Sequence, residues 1–419
     1  MSVSKSRPLT RELLLDYFLR AARPRDGWLV GMEIEKMGRA ARDGKPIPYV
    51  ADGPSVRGVL EFIQAERGGS PIQEGDHLIG LDAPWGTISL EPGGQVEWSS
   101  KPAATLPELQ AFMKEHLAVM RRAEAALAVR WLERAVDPET PLAEMPWMPK
   151  ARYNIMRPYL GARGRLAHRM MTQTASIQVA FDYSDENDWR EKFRLGALLA
   201  PLANALFANS PRIDGQETGY RSYRAAIWRE TDPDRCGLPA VVFQDGFGLE
   251  RWLDHLLQVP TIFRHRSRAL APAGGVPFAD LLQTPGCDAP RHAEWETHLS
   301  TIFTEIRAYS YIEVRSADLL PDERAFEVPT FWTALLYDDD ARGAALERVA
   351  AWDDHDRWTN ALQDASRQGL DAVSGGIELR ALAQDVLKLA HDGAARAACV
   401  GDAAAAQQTI DALASHHGI

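Results

Sequence analysis

Glutamates set among strand-like apolar residues are the feature of this sequence that most restricts its fold. They occur in three short stretches, residues 31–36, 89–98 and 311–315. Residues two apart on an extended strand share a face, so Glu33 and Glu35 point to one side while Met32 and Ile34 point to the other. Crowded carboxylates are unfavourable unless cations neutralise them, and Mg2+ or Mn2+ prefers oxygen ligands. The pattern predicts a strand-lined cavity that binds metal ions and a nucleotide.

A structural role is the alternative for each acidic stretch. A single Glu-x-Glu pattern on an edge strand is more often a solvated face than a set of metal ligands, because carboxylates are mostly exposed. The apolar residues Tyr311, Ile312 and Val314 predict a buried strand around Glu313. Arg315 lies two residues further on the same face and would be the partner of Glu313 if no metal were bound. For this segment, an ion pair and a metal ligand remain equally good interpretations.

A hairpin is predicted around the second acidic stretch. Residues 87–91 and 95–98 read as strands, and the Pro-Gly-Gly sequence at 92–94 reads as the turn between them. Strands joined by so short a turn are antiparallel. This arrangement brings Glu91 close to Glu97.

Helices and one further strand account for most of the remaining chain. The strand covers residues 174–182 and places Gln178 on a polar face. Residues 40–80 are predicted to be irregular apart from one helix near 55–66, and the Arg-rich segment 215–236 is predicted to be a loop. The predicted helices cover residues 10–22, 105–135 and 188–207, followed by several after residue 339. We predict a catalytic domain over 1–340 and a helical C-terminal region, 341–419, packed on it.

Composition restricts the function classes. The net charge of −11 and the pI of about 5.5 argue against a general nucleic-acid or anionic-membrane binder. The three cysteines are widely separated and form neither a zinc pattern nor a disulfide framework. The first eight residues lack the apolar core of a signal peptide, and no stretch approaches the roughly 20 apolar residues that span a bilayer. We therefore expect a cytoplasmic protein without nucleic-acid or membrane partners.

Familiar nucleotide-binding and hydrolase motifs are absent from the sequence. It contains no Gly-x4-Gly-Lys-Ser/Thr loop, no dinucleotide glycine fingerprint, no His-Glu-x-x-His and no Gly-x-Ser-x-Gly. A nucleotide would therefore have to be held by metal ions on carboxylates rather than by a phosphate-binding loop.

A succession of longer motifs resembles the plant-type glutamate-cysteine ligases, a family also found in proteobacteria. The resemblance runs in family order from about residue 28 to 340. The motifs are Gly-x-Glu-x-Glu-Lys at 31–36, Ser-Leu-Glu-Pro-Gly-Gly-Gln-x-Glu at 89–97, Met-Pro-Lys-Ala-Arg-Tyr-Asn-Ile-Met-Arg at 148–157, Phe-Ala-Asn-Ser-Pro at 207–211, Gly-Tyr-x-Ser-x-Arg at 219–224, Thr-Asp-x-Asp-Arg at 231–235, Tyr-Ile-Glu-Val-Arg-Ser-Ala-Asp at 311–318 and Phe-Trp-x-x-Leu-Leu-Tyr at 331–337.

The resemblance implies both a fold and a reaction. The fold is α+β, similar to the carboxylate-amine ligases related to glutamine synthetase, with a curled antiparallel sheet lining the active site and helices outside. In the implied reaction, ATP with Mg2+ or Mn2+ phosphorylates the γ-carboxylate of L-glutamate, and the amine of a small amino acid attacks the acyl phosphate. Such a reaction gathers several anions, which agrees with a cavity that collects cations. We expect a monomer or homodimer.

The resemblance also assigns roles to individual residues. The implied metal ligands are Glu33, Glu35, Glu91, Glu97 and Glu313. The implied substrate-binding residues are Arg224, Arg152, Lys150, Gln178, Trp228, Tyr153 and Gln173, and the groups that stabilise phosphate charge are Arg315 and Arg235. A purely structural role is the alternative for Lys150 and Arg152, and core packing is the alternative for Trp228 and Tyr153.

One segment departs from the family pattern. Where the family usually reads Arg-Thr-Cys-Thr-Val-Gln-Val-Asn, residues 173–180 read Gln-Thr-Ala-Ser-Ile-Gln-Val-Ala. A positive charge is thus replaced by Gln173, and an amide by Ala180. This departure suggests that the second substrate is either cysteine or a small apolar amino acid such as propargylglycine. Two other hypotheses remain open, a phosphotransferase of the guanido-kinase type and a non-catalytic nucleotide-binding pseudo-ligase.

Overall fold

An antiparallel sheet of eight strands forms the centre of the computed structural model, which describes residues 8–266 and 269–419. Most of the N-terminal segment used to predict the absence of a signal peptide, residues 1–7, lies outside the described residues. The strands are β1 Val30–Lys36, β2 Gly38–Ala40, β3 Ser70–Glu74, β4 His77–Ala83, β5 Gly86–Leu90, β6 Val96–Ser100, β7 Val129–Trp131, β8 Ser176–Phe181, β9 Arg212–Ile213, β10 Gln216–Glu217, β11 Cys236–Gly237, β12 Phe263–Arg266, β13 Ala269–Pro272, β14 Phe303–Thr304, β15 Ile306–Ala308, β16 Ile312–Asp318, β17 Val373–Ser374 and β18 Ile377–Glu378.

Helices surround this sheet. The α-helices are α1 Arg11–Leu19, α2 Val56–Arg67, α3 Leu106–Leu127, α4 Ala151–Gly161, α5 Ala167–Gln173, α6 Glu186–Leu198, α7 Ala200–Leu206, α8 Tyr223–Arg229, α9 Leu249–Gln258, α10 Phe278–Leu282, α11 His292–Leu299, α12 Glu327–Leu336, α13 Asp339–Arg348, α14 His355–Gln368, α15 Leu379–Ala394 and α16 Ala403–His416. None of the helices in the described part of the chain is long and apolar enough to cross a membrane.

The strand order is β15-β16-β8-β1-β6-β5-β4-β3, and every neighbouring pair is antiparallel. Side chains alternate between the two faces. One face is apolar, with Ile34, Trp98 and Val179 completely buried, and helices α3 and α12 pack on β1 and β8 respectively. The opposite face carries the polar side chains. This arrangement confirms the predicted α+β class with a large antiparallel sheet and helices outside.

Several predicted elements are confirmed. The first acidic strand, the hairpin formed by β5 and β6, and strand β8 occur where the sequence indicates. In the hairpin, Ser89 lies opposite Glu97. Helix α3 begins at the predicted cap, where the side chain of Thr105 accepts a hydrogen bond from the backbone N–H of Glu108.

Other boundaries were predicted wrongly. Helix α3 ends at Leu127 rather than near residue 135, because Ala128 has a φ of 52° and the next residues form β7, which pairs with β2. The predicted helix over 188–207 is two helices, and Pro201 in the first turn of the second lacks the N–H that would continue the first.

Two segments predicted as irregular contain regular structure. Strands β3 and β4 form a hairpin at the edge of the sheet within residues 70–83. The Arg-rich segment 215–236 contains helix α8, which is capped by the side chain of Ser222 accepting from the backbone N–H of Ala225. Arg224 therefore lies on a short helix rather than on a loop.

The C-terminal helices pack directly on the rest of the molecule. Helix α15 packs on α12, and α14 packs on α7. The indole N–H of Trp358 donates to the carbonyl of Ala197 at 2.8 Å, and Arg342 forms an ion pair with Glu191 at 3.0 Å. The boundary at residue 340 stays a prediction, and it lies within helix α13, which begins at Asp339.

Candidate active site

A cavity of about 230 Å³ opens on the polar face of the sheet. Its floor comes from strands β1, β6, β8 and β16, and its walls come from helices α4, α5 and α8 and the segment around Ser300. The lining residues are Glu33, Glu35, Glu91, Pro92, Gln95, Glu97, Arg152, Tyr153, Met156, Met170, Met171, Thr174, Ser176, Gln178, Trp228, Ser300, Phe303, Arg307, Tyr309 and Arg315. Most of the site residues predicted from the sequence therefore line one cavity.

Four carboxylates are concentrated on the floor. Strand pairing places Glu35 directly opposite Glu97, and Glu91 follows the end of β5 in the turn of the hairpin. This turn is pressed against helix α5, since a Cβ atom on Gly93 would lie 2.2 Å from the carbonyl oxygen of Thr172. Glycine at this position therefore allows the hairpin turn to approach the helix closely.

The electrostatics of these carboxylates are unfavourable within the protein alone. Burial, followed by repulsion from Glu313, raises the pKa of Glu33 to about 7. Burial and then Glu91 raise the pKa of Glu35 to about 7, and burial and then Glu33 raise the pKa of Glu97 well above its ordinary value. Directly opposed like charges destabilise a sheet. The cluster would therefore gain stability from an added cation.

The donor set fits a divalent cation that arrives with phosphate ligands. None of the four floor carboxylates has a Lys, Arg or His nitrogen within 4.0 Å in the described part of the chain. Across residues 8–266 and 269–419, no three His, Cys, Asp or Glu side chains converge into a ready metal site. Mg2+ commonly takes only one or two protein carboxylates and completes its shell with water and substrate phosphates. The floor suits that mode of binding better than a closed metal cage.

Glu313 has a different environment from the four floor carboxylates. It accepts from Nε of Arg307 at 2.8 Å and from Nη1 of Arg315 at 2.8 Å. Burial alone would raise the pKa of Glu313, but the two guanidinium groups reverse this effect and lower it. The structure therefore contains the ion pair that the sequence left open as an alternative, and the metal-ligand role of Glu313 stays a prediction.

Arg307 is the main site residue that sequence reasoning missed. It lies directly opposite Glu313 on β15, and it lines the cavity. Its strand is only three residues long, so the alternation of Ile306, Arg307 and Ala308 was too short to indicate a strand. The signal that could have found it is an arginine between two apolar residues, a few positions before the acidic strand.

Arg152 supplies positive charge from the wall formed by helix α4. Its Nη2 atom donates to the hydroxyl of Ser300 at 3.2 Å, while its buried Nε atom has no partner among the described residues. The guanidinium lies 5.6 Å from the ring centroid of Phe263. A half-buried guanidinium at a cavity wall is suited to bind a substrate carboxylate or phosphate.

One wall of the cavity is apolar. Met156, Met170 and Met171 are almost fully buried, and they line the cavity together with Phe303 and Trp228. Methionine side chains are flexible and polarisable, so they adapt to small apolar groups. The cavity therefore has a charged floor and an apolar wall.

Five predicted residues lie outside this lining: Lys150, Gln173, Arg224, Arg235 and Glu313. Lys150 donates to the carbonyl of Leu90 at 2.9 Å, and burial lowers the pKa of its amine. Arg224 donates to the carbonyl of Arg315 at 3.3 Å. Both residues brace backbone segments that carry lining residues, and their binding roles stay predictions.

Arg235 and Gln173 are also occupied by protein partners. Arg235 donates to Asp232 at 2.7 Å and to the hydroxyl of Tyr159 at 3.1 Å. Gln173 donates to the carbonyl of Thr140 at 2.7 Å. The expectation that the change at Gln173 alters the cavity surface is not supported by this geometry, because its amide points into the protein.

Ala180 lies in a neighbouring groove rather than in the main cavity. This groove also contains Gly31 and Tyr311, and it shares Glu33 with the cavity. Of the changes at Gln173 and Ala180, only the one at Ala180 is therefore on an open surface near the carboxylates.

Comparisons with known proteins show which family the chain is similar to. A family model described as Glutamate-cysteine ligase family 2 matches residues 29–419. The chloroplastic glutamate-cysteine ligase of Arabidopsis thaliana is 37% identical over 407 residues, covering 94% of this chain and 76% of the relative. The chloroplastic glutamate-cysteine ligase B of Oryza sativa subsp. japonica is 36% identical over 400 residues, covering 94% and 79%.

Solved structures support the fold. The glutamate-cysteine ligase of Francisella tularensis in complex with AMP superposes with a TM-score of 0.53 at 13% identity, covering 92% of this chain and 82% of that one. A bifunctional glutathione synthetase from Pasteurella multocida gives a TM-score of 0.52 at 12% identity, covering 93% and 48%. The relatives named above are chloroplastic, and their names contradict the cytoplasmic location predicted from the sequence.

Proposed function

The chain belongs to glutamate-cysteine ligase family 2 and is an ATP-dependent γ-glutamyl ligase, and from this premise we propose how its cavity works and which acceptor it takes. The proposed reaction joins the γ-carboxylate of L-glutamate to the amine of cysteine or of a small apolar amino acid such as propargylglycine. The observation that supports it is the floor itself, where four carboxylates that form no ion pair with a described residue lie in the same cavity as Arg307 and Arg315.

The floor carboxylates would hold the divalent cation that accompanies ATP. Glu33, Glu35, Glu91 and Glu97 supply oxygen donors of the kind Mg2+ and Mn2+ prefer, and we favour Mg2+. When bound, the ion supplies positive charge to the phosphates and polarises the phosphoryl group that is transferred.

The arginines would orient and stabilise the anions. In the first step, a γ-carboxylate oxygen of glutamate attacks the terminal phosphorus, and the bond between that phosphorus and the oxygen of ADP breaks. Arg315 and Arg307 lie at one side of the cavity, where they would stabilise the charge on the transferring group. Arg152 lies on the wall formed by helix α4 and would bind the α-carboxylate of an amino-acid substrate.

The second step forms the amide. The amine nitrogen of the acceptor attacks the carbonyl carbon of γ-glutamyl phosphate, the bond from that carbon to the phosphate oxygen breaks, and the nitrogen loses a proton. Met156, Met170 and Met171 would contact the acceptor side chain and favour a small apolar or thiol-bearing group. Exclusion of water by this wall would protect the acyl phosphate from hydrolysis.

A product assay tests the proposal. The protein is incubated with L-glutamate, ATP and Mg2+ and with one acceptor at a time, namely cysteine, propargylglycine, alanine, serine or lysine. We expect one γ-glutamyl amide per ADP released, with cysteine or a small apolar acceptor preferred, measured by mass spectrometry and a coupled ADP assay. A parallel series with Mn2+ compares the two ions.

Two other outcomes would contradict the proposal. ADP release with a phosphorylated nitrogen and no amide would indicate a phosphotransferase, and ATP binding without any phosphate release would indicate a non-catalytic protein. Equal use of lysine and cysteine would contradict the assigned role of the methionine wall.

A further inference from the structure

Each of three floor carboxylates accepts a hydrogen bond from a serine on a neighbouring strand. Ser99 Oγ donates to Glu33 Oε1 at 3.1 Å, Ser176 Oγ donates to Glu35 Oε2 at 3.0 Å, and Ser89 Oγ donates to Glu97 Oε1 at 3.0 Å. Strand pairing explains the contacts, because Ser99 lies opposite Glu33 and Ser89 lies opposite Glu97. The register of the sheet thus places one hydroxyl beside each of these acids.

The hydroxyls occupy only one oxygen of each acid. In the described part of the chain, the second oxygen of Glu33, Glu35 and Glu97 accepts no hydrogen bond from the protein. A carboxylate with one oxygen tied to its neighbour loses rotational freedom, while the other oxygen stays available to a ligand. A serine can do this without adding charge, so the carboxylate keeps its attraction for a cation.

Ser176 also connects the acids to the arginines. Its hydroxyl accepts from Nε2 of Gln178 at 3.3 Å, and Oε1 of Gln178 accepts from Nη1 of Arg315. The same Nη1 atom donates to Glu313. A continuous hydrogen-bonded row therefore crosses three strands, from the carboxylate of Glu35 to the guanidinium of Arg315.

We propose that Ser89, Ser99 and Ser176 are positioning residues that orient the floor carboxylates toward a divalent cation bound with nucleotide, and that Ser176 also fixes the distance between Glu35 and Arg315. The inference rests on the proposed function, since it assigns these serines to the same cation and nucleotide. Partners that orient metal ligands typically contribute about 10- to 100-fold to metal affinity or activity. The serines therefore act on binding through the acids to which they donate.

The test measures binding without turnover. The dissociation constant for Mn2+ with a non-hydrolysable ATP analogue is determined by calorimetry for the wild type and for Ser99→Ala, Ser176→Ala and Ser99→Thr. We expect about 10- to 100-fold weaker binding for the two alanine variants. Ser99→Thr should bind with an affinity within a few-fold of the wild type, because threonine keeps a hydroxyl at this half-buried position.

A matched control separates positioning from general destabilisation. Ser366→Ala removes a buried serine hydroxyl whose partner is the carbonyl of Gln363 in the C-terminal helices. It should bind like the wild type, and thermal unfolding of all variants reports whether each remains folded. Alanine variants that are folded and bind with wild-type affinity would overturn the inference while leaving the proposed function intact. A folded wild-type protein that binds no Mn2+ with the analogue would overturn the proposed function, and this inference with it.

Discussion

The two halves of the polar sheet face treat their carboxylates in opposite ways. On the β15–β16 side, Glu313 accepts from two guanidinium groups and has a lowered pKa. On the β1–β6 side, Glu33 and Glu35 each accept a hydrogen bond from a serine hydroxyl and form no ion pair with a described residue, and burial raises the pKa of each to about 7. The carboxylate on the β15–β16 side, called here the closed half, is neutralised by two arginines of the protein. The carboxylates on the β1–β6 side, called the open half, would be neutralised by an added cation.

This difference separates two tasks on one surface. A buried ion pair fixes the arginines in place, and removing one partner is costly. Carboxylates that form no ion pair with a described residue are unfavourable for the folded state, and we propose that they bind a metal with its nucleotide. The same residue type, glutamate, is therefore paired with arginines on β16 and is the proposed metal ligand on β1.

Removing charge on the open half should have the largest effect. We expect Glu35→Gln to reduce amide formation by about a thousandfold, because losing a metal ligand removes several kcal/mol of transition-state stabilisation. Steady-state ADP release and amide formation measure the effect. The variant should unfold at the same denaturant concentration as the wild type or a higher one, since it removes an unfavourable buried charge. Activity within threefold of the wild type would contradict the proposed role of the open half in metal binding.

The same substitution on the closed half should act on stability. We expect Glu313→Gln to lower the free energy of unfolding by about 3–5 kcal/mol, because Arg307 and Arg315 would remain buried without their carboxylate. Urea denaturation followed by tryptophan fluorescence measures the free energy of unfolding, with Glu33→Gln as the matched control. If the two variants unfold at the same urea concentration, the open and closed halves do not differ as described.

Local sequence patterns were sufficient to predict the open half. The alternation in residues 30–36 and the Pro-Gly-Gly turn predicted the strands that carry Glu33, Glu35 and Glu97, since side-chain direction follows from a two-residue period. The family resemblance added Arg152 and Trp228, whose segments carry no such periodic signal. Both residues line the cavity.

The contacts in the closed half could not be predicted from the local sequence pattern, because they depend on how the strands pair. Arg307 meets Glu313 only because β15 pairs with β16 in one register, and register depends on packing across the sheet. Gln173 was predicted to bind substrate, but it is the last residue of α5 and its amide donates to the carbonyl of Thr140. The capped helix α8 was predicted as a loop because seven residues are too few for a clear helical period.

The pH dependence of nucleotide binding tests the central claim most directly. Glu33 and Glu35 have a pKa of about 7 before a cation binds, and a metal binds the deprotonated form. Calorimetry with Mg2+ and a non-hydrolysable ATP analogue at pH 6 and pH 8, corrected for protonation of the analogue, should show about tenfold tighter binding at pH 8 for each such ligand. Without Mg2+, binding should be lost at both pH values. Equal affinity at pH 6 and pH 8, or equal affinity with and without Mg2+, would contradict the account.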